Sequence, residues 1–257
     1  MTEVRSGGQG PYALAGKVAV ISGGSSGIGA AAAQRLAEGG ATIAIGYNSG
    51  RDRAEALAAA LPGSGHRPLH LPMTDSAAIR AAAAEVDRAF GRADILVNSA
   101  GTTRAVPHAD LDAMDDESFD RILITNVRGP FSTIRAFAPL LKRSGDGVVV
   151  NISSLSSVTG LGSSIAYCAS KAALDTMGLS LARVLAPEVR VLSIQPAAVA
   201  TEFVPGRDRA GVAKAALGTP LKLVTEADDV ALAVYAAVVH LRHSTGTPIV
   251  VDGGKHL

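Results

Sequence analysis

The chain has 257 residues, of which 47% are hydrophobic and 18% are charged, and its formal net charge is +1. This charge gives no electrostatic basis for binding nucleic acid or an anionic membrane, and no apolar run reaches the roughly 18 residues that span a bilayer. The single cysteine excludes an intramolecular disulfide and suits a reducing cytoplasm. We therefore expect a cytoplasmic protein with enough apolar residues for a sizeable core.

The first fifteen residues read differently from the rest of the chain. They contain no apolar segment of the kind that a secretory signal requires. We predict that residues 1–15 are a flexible lead-in. No convincing linker follows them, so residues 16–257 are predicted to form a single domain.

From residue 17 onward, short apolar segments alternate with helical patterns. The segments are rich in Val, Ile and Leu, as strands buried on both faces are. The predicted strands are 17–22, 41–47, 67–71, 94–98, 147–152, 189–195 and 248–251. The predicted helices are 27–38, 50–61, 76–90, 116–142, 164–185 and 226–241. This alternation predicts an α/β fold with a mainly parallel seven-stranded sheet, helices on both faces and ligands beyond the carboxyl ends of the strands.

A glycine-rich segment, SGGSSGIG (22–29), separates the first predicted strand from the first helix. Strand, glycine loop and helix in this order form the context of a dinucleotide-binding site. Gly23 permits a tight turn, while Gly27 and Gly29 allow the backbone to approach a pyrophosphate. The free N–H groups at the start of the helix would bind that anion.

The end of the second predicted strand bears on which dinucleotide binds. An NAD site commonly has an Asp or Glu here that bonds the ribose 2′-OH, but this segment reads Tyr47-Asn48-Ser49-Gly50-Arg51. Without a carboxylate nothing repels a 2′-phosphate, and Asn48, Ser49 and Arg51 could bind one. The sequence therefore favours NADP(H). NAD(H) is the alternative, in which Arg51 and Arg53 are only a solvated helix start.

Tyr167 and Lys171 are four residues apart in predicted helix 164–185, so they lie on one helix face. An ammonium about 4 Å from a phenol would stabilise the phenolate by roughly 4 kcal/mol at an effective dielectric near 20. Desolvation opposes part of this effect, but the pKa of Tyr167 could still fall toward neutrality. Ser154, just after a predicted strand, could hold a substrate oxygen against the phenol.

Taken together, these motifs resemble the classical short-chain dehydrogenase/reductase family. The matching motifs span residues 17–254 and occur in the family's order: SGGSSGIG (22–29), NSAG (98–101), Asn126 in TNVRG, Ser154 in NISS, Tyr167 and Lys171, PAAVAT (196–201), and VDGG (251–254). The resemblance implies a doubly wound fold of the Rossmann type. It also implies NAD(P)(H)-dependent reduction of a carbonyl to a secondary alcohol, or the reverse reaction. The nearest general resemblance is to 3-oxoacyl-thioester reductases.

The resemblance also implies roles for the catalytic residues. Tyr167 would be the acid in reduction and the base in oxidation, and Lys171 would lower the pKa of Tyr167 and bond the nicotinamide ribose. Ser154 would orient the substrate carbonyl, and Asn126 would anchor a water in a proton relay. The residues expected to contact the cofactor are Ser22, Gly23, Ser25, Ser26, Gly27, Ile28, Gly29, Tyr47, Asn48, Ser49, Arg51, Met73, Asn98, Ala100, Gly101, Tyr167, Lys171, Pro196, Val199 and Thr201. Asn98 could equally brace the sheet.

The chain departs from the family pattern at four positions. Ser22 stands where Thr is usual and keeps the hydroxyl, and Ala197 replaces a glycine. Ser99 replaces an Asn, and Pro72 replaces an Asp that usually contacts the adenine. The last two bear on how adenosine binds, and none affects the proton-transfer residues.

Residues 201–224 resemble the family's mobile substrate lid, because Gly and Pro punctuate them. The residues predicted to line the substrate pocket are Thr103, Arg104, Leu155, Leu161, Ile165 and Phe203. This mixed, mostly apolar lining suits a small or medium carbonyl. The cofactor supplies the hydride, so no metal is predicted.

Two other functions stay open. One is an NAD-dependent alcohol, sugar or steroid dehydrogenase that works oxidatively. The other is a non-catalytic nucleotide-binding regulatory protein, although such a protein would often lose the Ser, Tyr and Lys set.

A homotetramer is also predicted. Helices 116–142 and 164–185 carry apolar residues on more than one face, and pairing them about a two-fold axis would cover the outer face. These residues are Ile122, Val127, Phe131, Ile134, Phe137, Ala172, Leu174, Met177, Leu181 and Leu185. The family resemblance implies a second interface through helix 226–241 and the last strand.

Overall fold

A parallel β-sheet forms the centre of the protein in the computed structural model, which describes residues 14–257. Its strands are β1 (Val18–Ser22), β2 (Thr42–Tyr47), β3 (Arg67–His70), β4 (Ile95–Asn98), β5 (Gly147–Ile152), β6 (Val189–Pro196) and β7 (Thr247–Val251). Within the described residues the sheet has seven strands in the order β3-β2-β1-β4-β5-β6-β7. Every neighbouring pair is parallel. The predicted fold class is confirmed, and the sheet is wholly rather than mainly parallel.

Helices cover both faces of the sheet. They are α1 (Gly27–Glu38), α2 (Arg51–Ala60), α3 (Ser76–Phe90), α4 (Asp116–Leu123), α5 (Gly129–Ser144), α6 (Ser156–Thr159), α7 (Ile165–Leu185), α8 (Arg209–Ala216) and α9 (Ala227–Val239). Ile21 of β1 packs with α1 and α9 on one face, whereas its neighbour Val20 packs with α3, α5 and α7 on the other. Strands enclosed in this way need apolar residues on both faces, which explains why they read as continuous apolar runs.

The long helix predicted over 116–142 is interrupted. A π-helical turn, Ile124–Arg128, separates α4 from α5, which continues to Ser144. Pro130 lies near the start of α5 and has no N–H to donate to the Asn126 carbonyl four residues earlier, so regular α-helical bonding fails at this point. The short helices α6 and α8 were also not predicted as elements.

The predicted lead-in falls mostly outside the described residues, since residues 1–13 are not among them. Leu14, at its end, belongs to the folded core. It is buried beside α1, and its N–H donates to the Gly39 carbonyl at 2.7 Å.

The strands end in register along one edge of the sheet. Ser22 of β1 lies beside Asn98 of β4, Asn98 beside Asn151 of β5, and Asn151 beside Ser193 of β6. The loops that follow these strands therefore meet in one crevice, as parallel order requires. Among the described residues, no helix is both long enough and apolar enough to cross a membrane.

Candidate active site

A cavity of about 390 Å³ opens beyond the carboxyl ends of β4, β5 and β6. Its walls come from the segments after these strands, from α7 and from the region predicted as a lid. The predicted site residues that line it are Ile28, Gly101, Ser154, Leu155, Leu161, Tyr167, Lys171, Pro196, Val199, Thr201 and Phe203. Motifs far apart in the sequence thus face one space.

Tyr167 and Ser154 form the polar centre of this cavity. Burial raises the pKa of the Tyr167 phenol to about 12, while a hydrogen bond with the Ser154 side chain and the charge of Arg207 oppose the rise. Ser154 is itself buried, and its Oγ accepts the Ser156 N–H at 3.1 Å. The phenol is therefore protonated at neutral pH, the state that a proton donor needs.

Lys171 is held beneath the Tyr167 ring. Its Nζ lies 5.6 Å from the ring centroid and donates to the Ile152 carbonyl at 2.7 Å. Burial lowers the pKa of Lys171 to about 8, against the raising effect of the Asp175 charge. Here the ammonium bonds a backbone carbonyl and burial dominates the pKa of the phenol, so the predicted lowering of the Tyr167 pKa by Lys171 stays a prediction.

The π-helical turn brings Asn126 into the interior. Its Oδ1 accepts the Thr102 N–H at 2.8 Å, while its Nδ2 donates to the Thr102 carbonyl at 2.9 Å and to Ser170 Oγ at 3.0 Å. The Asn126 side chain thus ties the segment after β4 to α7, the helix that carries Tyr167. Its predicted role in a water relay stays a prediction.

The glycine loop after β1 is packed so closely that a side chain would clash at two of its positions. A Cβ at Gly23, whose φ is +64°, would lie 2.8 Å from Ala100 Cα, and one at Gly29 would lie 2.2 Å from the Gly23 carbonyl oxygen. Ser22 Oγ accepts the Ala100 N–H at 3.2 Å, so the hydroxyl retained at this position fixes the two loops together.

The start of α1 is suited to an anion. Within the described residues its N-cap, Ser26, makes no side-chain capping bond, and its first turn has no acidic residue. By contrast, the Asp75 side chain caps α3 and Asp115 caps α4. The free N–H groups of α1 therefore fit a pyrophosphate. Ser25 lies half-buried in the same loop, and Gly27 has a φ of +51°.

Asn98 braces the sheet, one of the two roles considered for it. Its Nδ2 donates to Asn151 Oδ1 at 2.9 Å, and its Oδ1 accepts from Thr133 Oγ1 at 2.6 Å. Its neighbour Ser99, which replaces the usual Asn, lines the cavity. Any contact between Asn98 and the cofactor stays a prediction.

In the segment that follows β2, Arg51 does not point to a free phosphate site as the sequence suggested. Its Nε donates to Glu55 Oε1 at 2.8 Å, an i,i+4 ion pair on the exposed face of α2. The guanidinium of Arg53 instead lies over Gly50, where an added Cβ would be 2.5 Å from its Nη2. Arg53, which the sequence suggested only as part of a solvated helix start, is therefore the arginine beside this loop.

The other predicted residues of this region take varied positions. The Tyr47 ring contacts that of His70 at the end of β3, with centroids 5.5 Å apart. Asn48 and Ser49 are exposed, and Met73 is buried against Gly129 at the start of α5.

Some predicted substrate residues do not line the cavity. Arg104 bonds Asp115 and donates to Ser118 Oγ at 2.9 Å. Thr103 Oγ1 lies 2.6 Å from Oγ of Ser163, which does line the cavity, and Ile165 is half exposed at the start of α7. Arg104 instead bonds the first turn of α4 and the N-cap residue before it.

The predicted lid contributes more residues than the sequence suggested. Phe203 contacts Tyr167, with ring centroids 5.8 Å apart, and α8 adds Val212. The cavity also includes Arg207 and, from the segment after β7, Lys255. Neither cation was predicted, although Arg207 directly follows the Pro205-Gly206 break and Lys255 the VDGG motif. Among the described residues, no group of three or more His, Cys, Asp or Glu side chains could hold a metal.

The sequence of this chain is similar to those of known proteins. The family described as short chain dehydrogenase matches residues 17–210. A protein of Streptomyces violaceoruber, named as ketoacyl reductase 2 of a granaticin polyketide synthase, is 38% identical over 242 residues, which cover 93% of this chain and 96% of the relative. D-threitol dehydrogenase of Mycolicibacterium smegmatis is 41% identical over 199 residues, which cover 75% of this chain and 74% of the relative.

Solved structures agree. A short chain dehydrogenase of Burkholderia cenocepacia in complex with NADP is 33% identical, has a TM-score of 0.84, and is matched over 95% of this chain and 99% of that one. The family match at 17–210 includes the glycine loop, Ser154, Tyr167 and Lys171.

Proposed function

This chain belongs to the short-chain dehydrogenase family and is an oxidoreductase acting on CH–OH groups, and we propose that it uses Tyr167 to exchange a proton while a carbonyl and a secondary alcohol interconvert. The observation that carries the proposal is the convergence of Ser154, Tyr167 and Lys171 on one cavity, next to the glycine loop.

A nicotinamide dinucleotide fits the residues present. The glycine loop and the uncapped start of α1 would hold the pyrophosphate, and Lys171 would hold the nicotinamide ribose. Val199 and Thr201, which line the cavity after β6, would hold the carboxamide side. When bound, the dinucleotide supplies or accepts the hydride.

The protein's own groups handle the proton. In reduction, Ser154 orients the carbonyl and Tyr167 gives its proton to the oxygen as negative charge develops there. A phenol with a pKa of about 12 stays protonated at neutral pH, so it suits this direction. In oxidation the same phenol would be the base, and the positive charge of Lys171 would favour its ionised form.

We propose NADP(H) as the preferred cofactor, with NAD(H) as the alternative. The segment from Tyr47 to Gly50 has no carboxylate to repel a 2′-phosphate, and Arg53 lies over Gly50. The NADP found with the Burkholderia cenocepacia relative is consistent with this preference. Equilibrium titration of NADPH and NADH into the protein tests it, and tighter binding of NADH would contradict it.

We also propose a homotetramer, on a narrower basis than the sequence suggested. Ile122, Ile134, Phe137, Leu174 and Leu185 are buried within the chain, so they cannot form an outer face. Phe131 of α5 and Val184 of α7 are exposed, by 41% and 67%. The edge strand β7 presents Val250, which is exposed, and Leu232 of α9 is exposed as well. An edge strand with exposed apolar residues is a common site of contact with another subunit.

Light scattering at micromolar concentration tests this assembly. The tetramer would give four times 26.0 kDa. A monomer that still turns over substrate would contradict it.

The proposed activity is tested with purified protein, NADPH and NADH against a panel of ketones, oxo esters and sugars, by following the absorbance of the reduced nicotinamide. Turnover of at least one carbonyl is expected. A protein that binds the dinucleotide but turns over nothing would favour the regulatory alternative.

A further inference from the structure

The cavity is positively charged. Among the described residues that line it are Lys171, Arg207 and Lys255, and none is an Asp or Glu. The Ile152 carbonyl bonds the Lys171 ammonium. Within residues 14–257, neither Arg207 nor Lys255 forms an ion pair with a carboxylate. These two lining cations therefore have no ion-pair partner among the described residues.

A neighbouring arginine, Arg209, shows that a cation in this segment can find a carboxylate partner. Arg209, two residues after Arg207, donates to Glu226 at 2.9 Å across the base of α8. It does not line the cavity, whereas Arg207 does. The charge of Arg207 is near enough to the Tyr167 hydroxyl to lower the pKa of that phenol. Arg207 and Tyr167 therefore face the same cavity.

The strand order separates Lys255 from the dinucleotide site. Lys255 follows β7, whereas the glycine loop follows β1, and β4, β5 and β6 lie between them. At the usual spacing of about 4.8 Å between strands, the ends of β1 and β7 are roughly 19 Å apart. Ser154, after β5, lies between the two. Lys255 is thus on the far side of the catalytic serine from the pyrophosphate loop.

The segment before Lys255 packs against the segment predicted as a lid, which also carries Arg207. Gly253 and Gly254, just before Lys255, pack against Thr219 and Pro220 at the end of the lid. The same cavity is also lined by apolar side chains, namely Leu155, Leu161, Phe203, Val204 and Val212. A ligand that matches this lining has a carbonyl at Tyr167, a short apolar body and an anionic group that contacts Arg207 and Lys255.

We propose that the substrate carries an anionic group, a carboxylate or a phosphate, which Arg207 and Lys255 bind while its carbonyl meets Tyr167 and Ser154. This inference rests on the proposed oxidoreductase function and adds the chemical class of its substrate.

Matched substrate pairs test the inference. One pair is an aliphatic oxo acid and its methyl ester, and the other is a hydroxyketone phosphate and the free hydroxyketone. The charged member of at least one pair should have a kcat/KM at least tenfold higher, mainly through a lower KM, because the anion is bound before and during the reaction. Which pair shows the preference distinguishes carboxylate from phosphate. Added salt should reduce the preference.

Substitutions of the two cations test whether they cause the preference for the charged substrate. R207Q and K255Q should each bring the charged-to-neutral ratio of kcat/KM down severalfold, whereas the matched control R209Q should keep both the ratio and the activity. Dinucleotide affinity is titrated for each variant. If R207Q and K255Q weaken dinucleotide binding and leave the substrate ratio intact, the cations serve the cofactor and the inference is overturned.

The two possible failures look different. Equal kcat/KM for both members of both pairs would overturn this inference and leave the oxidoreductase function standing. A lack of turnover for charged and neutral compounds alike would overturn the proposed function, and the inference with it.

Discussion

Replacing Gly23 by alanine tests how the glycine loop binds the dinucleotide. Gly23 has a φ of +64°, and an added Cβ would lie 2.8 Å from Ala100 Cα and 2.9 Å from its nitrogen. Gly91, which ends α3, has a φ of +70°, and a Cβ there would meet none of the described residues within 4 Å. The two substitutions therefore impose similar backbone strain, and only the first adds a backbone clash.

The expected sizes follow from this contrast. An L-residue in the left-handed region costs about 1–2 kcal/mol, and the loss of glycine's freedom in the unfolded chain offsets about 0.4–1 kcal/mol. Gly91→Ala should thus lower the free energy of unfolding by about 1 kcal/mol. Gly23→Ala must also displace Ala100, whose N–H bonds Ser22 Oγ. It should weaken dinucleotide binding at least tenfold, or about 1.4 kcal/mol.

Two measurements on each variant are sufficient. Urea unfolding gives the change in stability, and titration of NADPH, followed by its fluorescence, gives the affinity. Wild-type affinity in Gly23→Ala would refute the assignment of this loop to the pyrophosphate. An equal loss of affinity in Gly91→Ala would show that strain, and not the loop, is responsible.

Three further substitutions or conditions probe other parts of the molecule. Tyr47→Asp should make NADH bind more tightly than NADPH, because a carboxylate beside a 2′-phosphate costs on the order of 1–3 kcal/mol; unchanged preference in the titration would contradict the placement of the ribose. Burial raises the pKa of Asp94, but hydrogen bonds from Arg92, a backbone N–H and Lys17 bring it below its ordinary value. Its contribution to stability is therefore full at neutral pH and is lost as the pH falls through that lowered pKa. Asp94→Asn should lower the free energy of unfolding by about 1–3 kcal/mol at neutral pH and by less in acid, and urea unfolding at both pH values checks this. Finally, kcat/KM for the dinucleotide should fall as the pH rises through about 8, where Lys171 loses its charge; a flat profile across that range would argue against a role for the ammonium.

The strands were predictable because each must be apolar on both faces. Predicted strand 189–195 and observed β6, Val189–Pro196, differ by one residue. The position of the site followed as well, since parallel strands bring Asn98, Ser154 and Pro196 to one edge whatever their sequence separation.

Features that depend on one side chain choosing between partners could not be predicted. Lys171 is buried and donates to the Ile152 carbonyl, but the sequence does not show which backbone carbonyl lies within its reach. The π-helical turn arises where Pro130 removes a donor, which apolar periodicity does not reveal. Periodicity placed Phe137 among apolar residues on more than one helix face without saying which face covers the sheet, and the structure shows it buried. The i,i+4 spacing of Arg51 and Glu55 permits their ion pair, but it does not show that Arg51 prefers Glu55 to a ligand.

The central claim is that Tyr167 transfers the proton in a dinucleotide-dependent reaction. Its most direct test compares turnover and NADPH affinity in Tyr167→Phe with those in Tyr235→Phe, a tyrosine of α9 that lies outside the cavity. The Tyr167 variant should lose at least about a hundredfold in kcat, as expected when a general acid is removed, and keep its dinucleotide affinity within a few-fold. The Tyr235 variant should keep both. Substantial turnover by the Tyr167→Phe protein would contradict the claim.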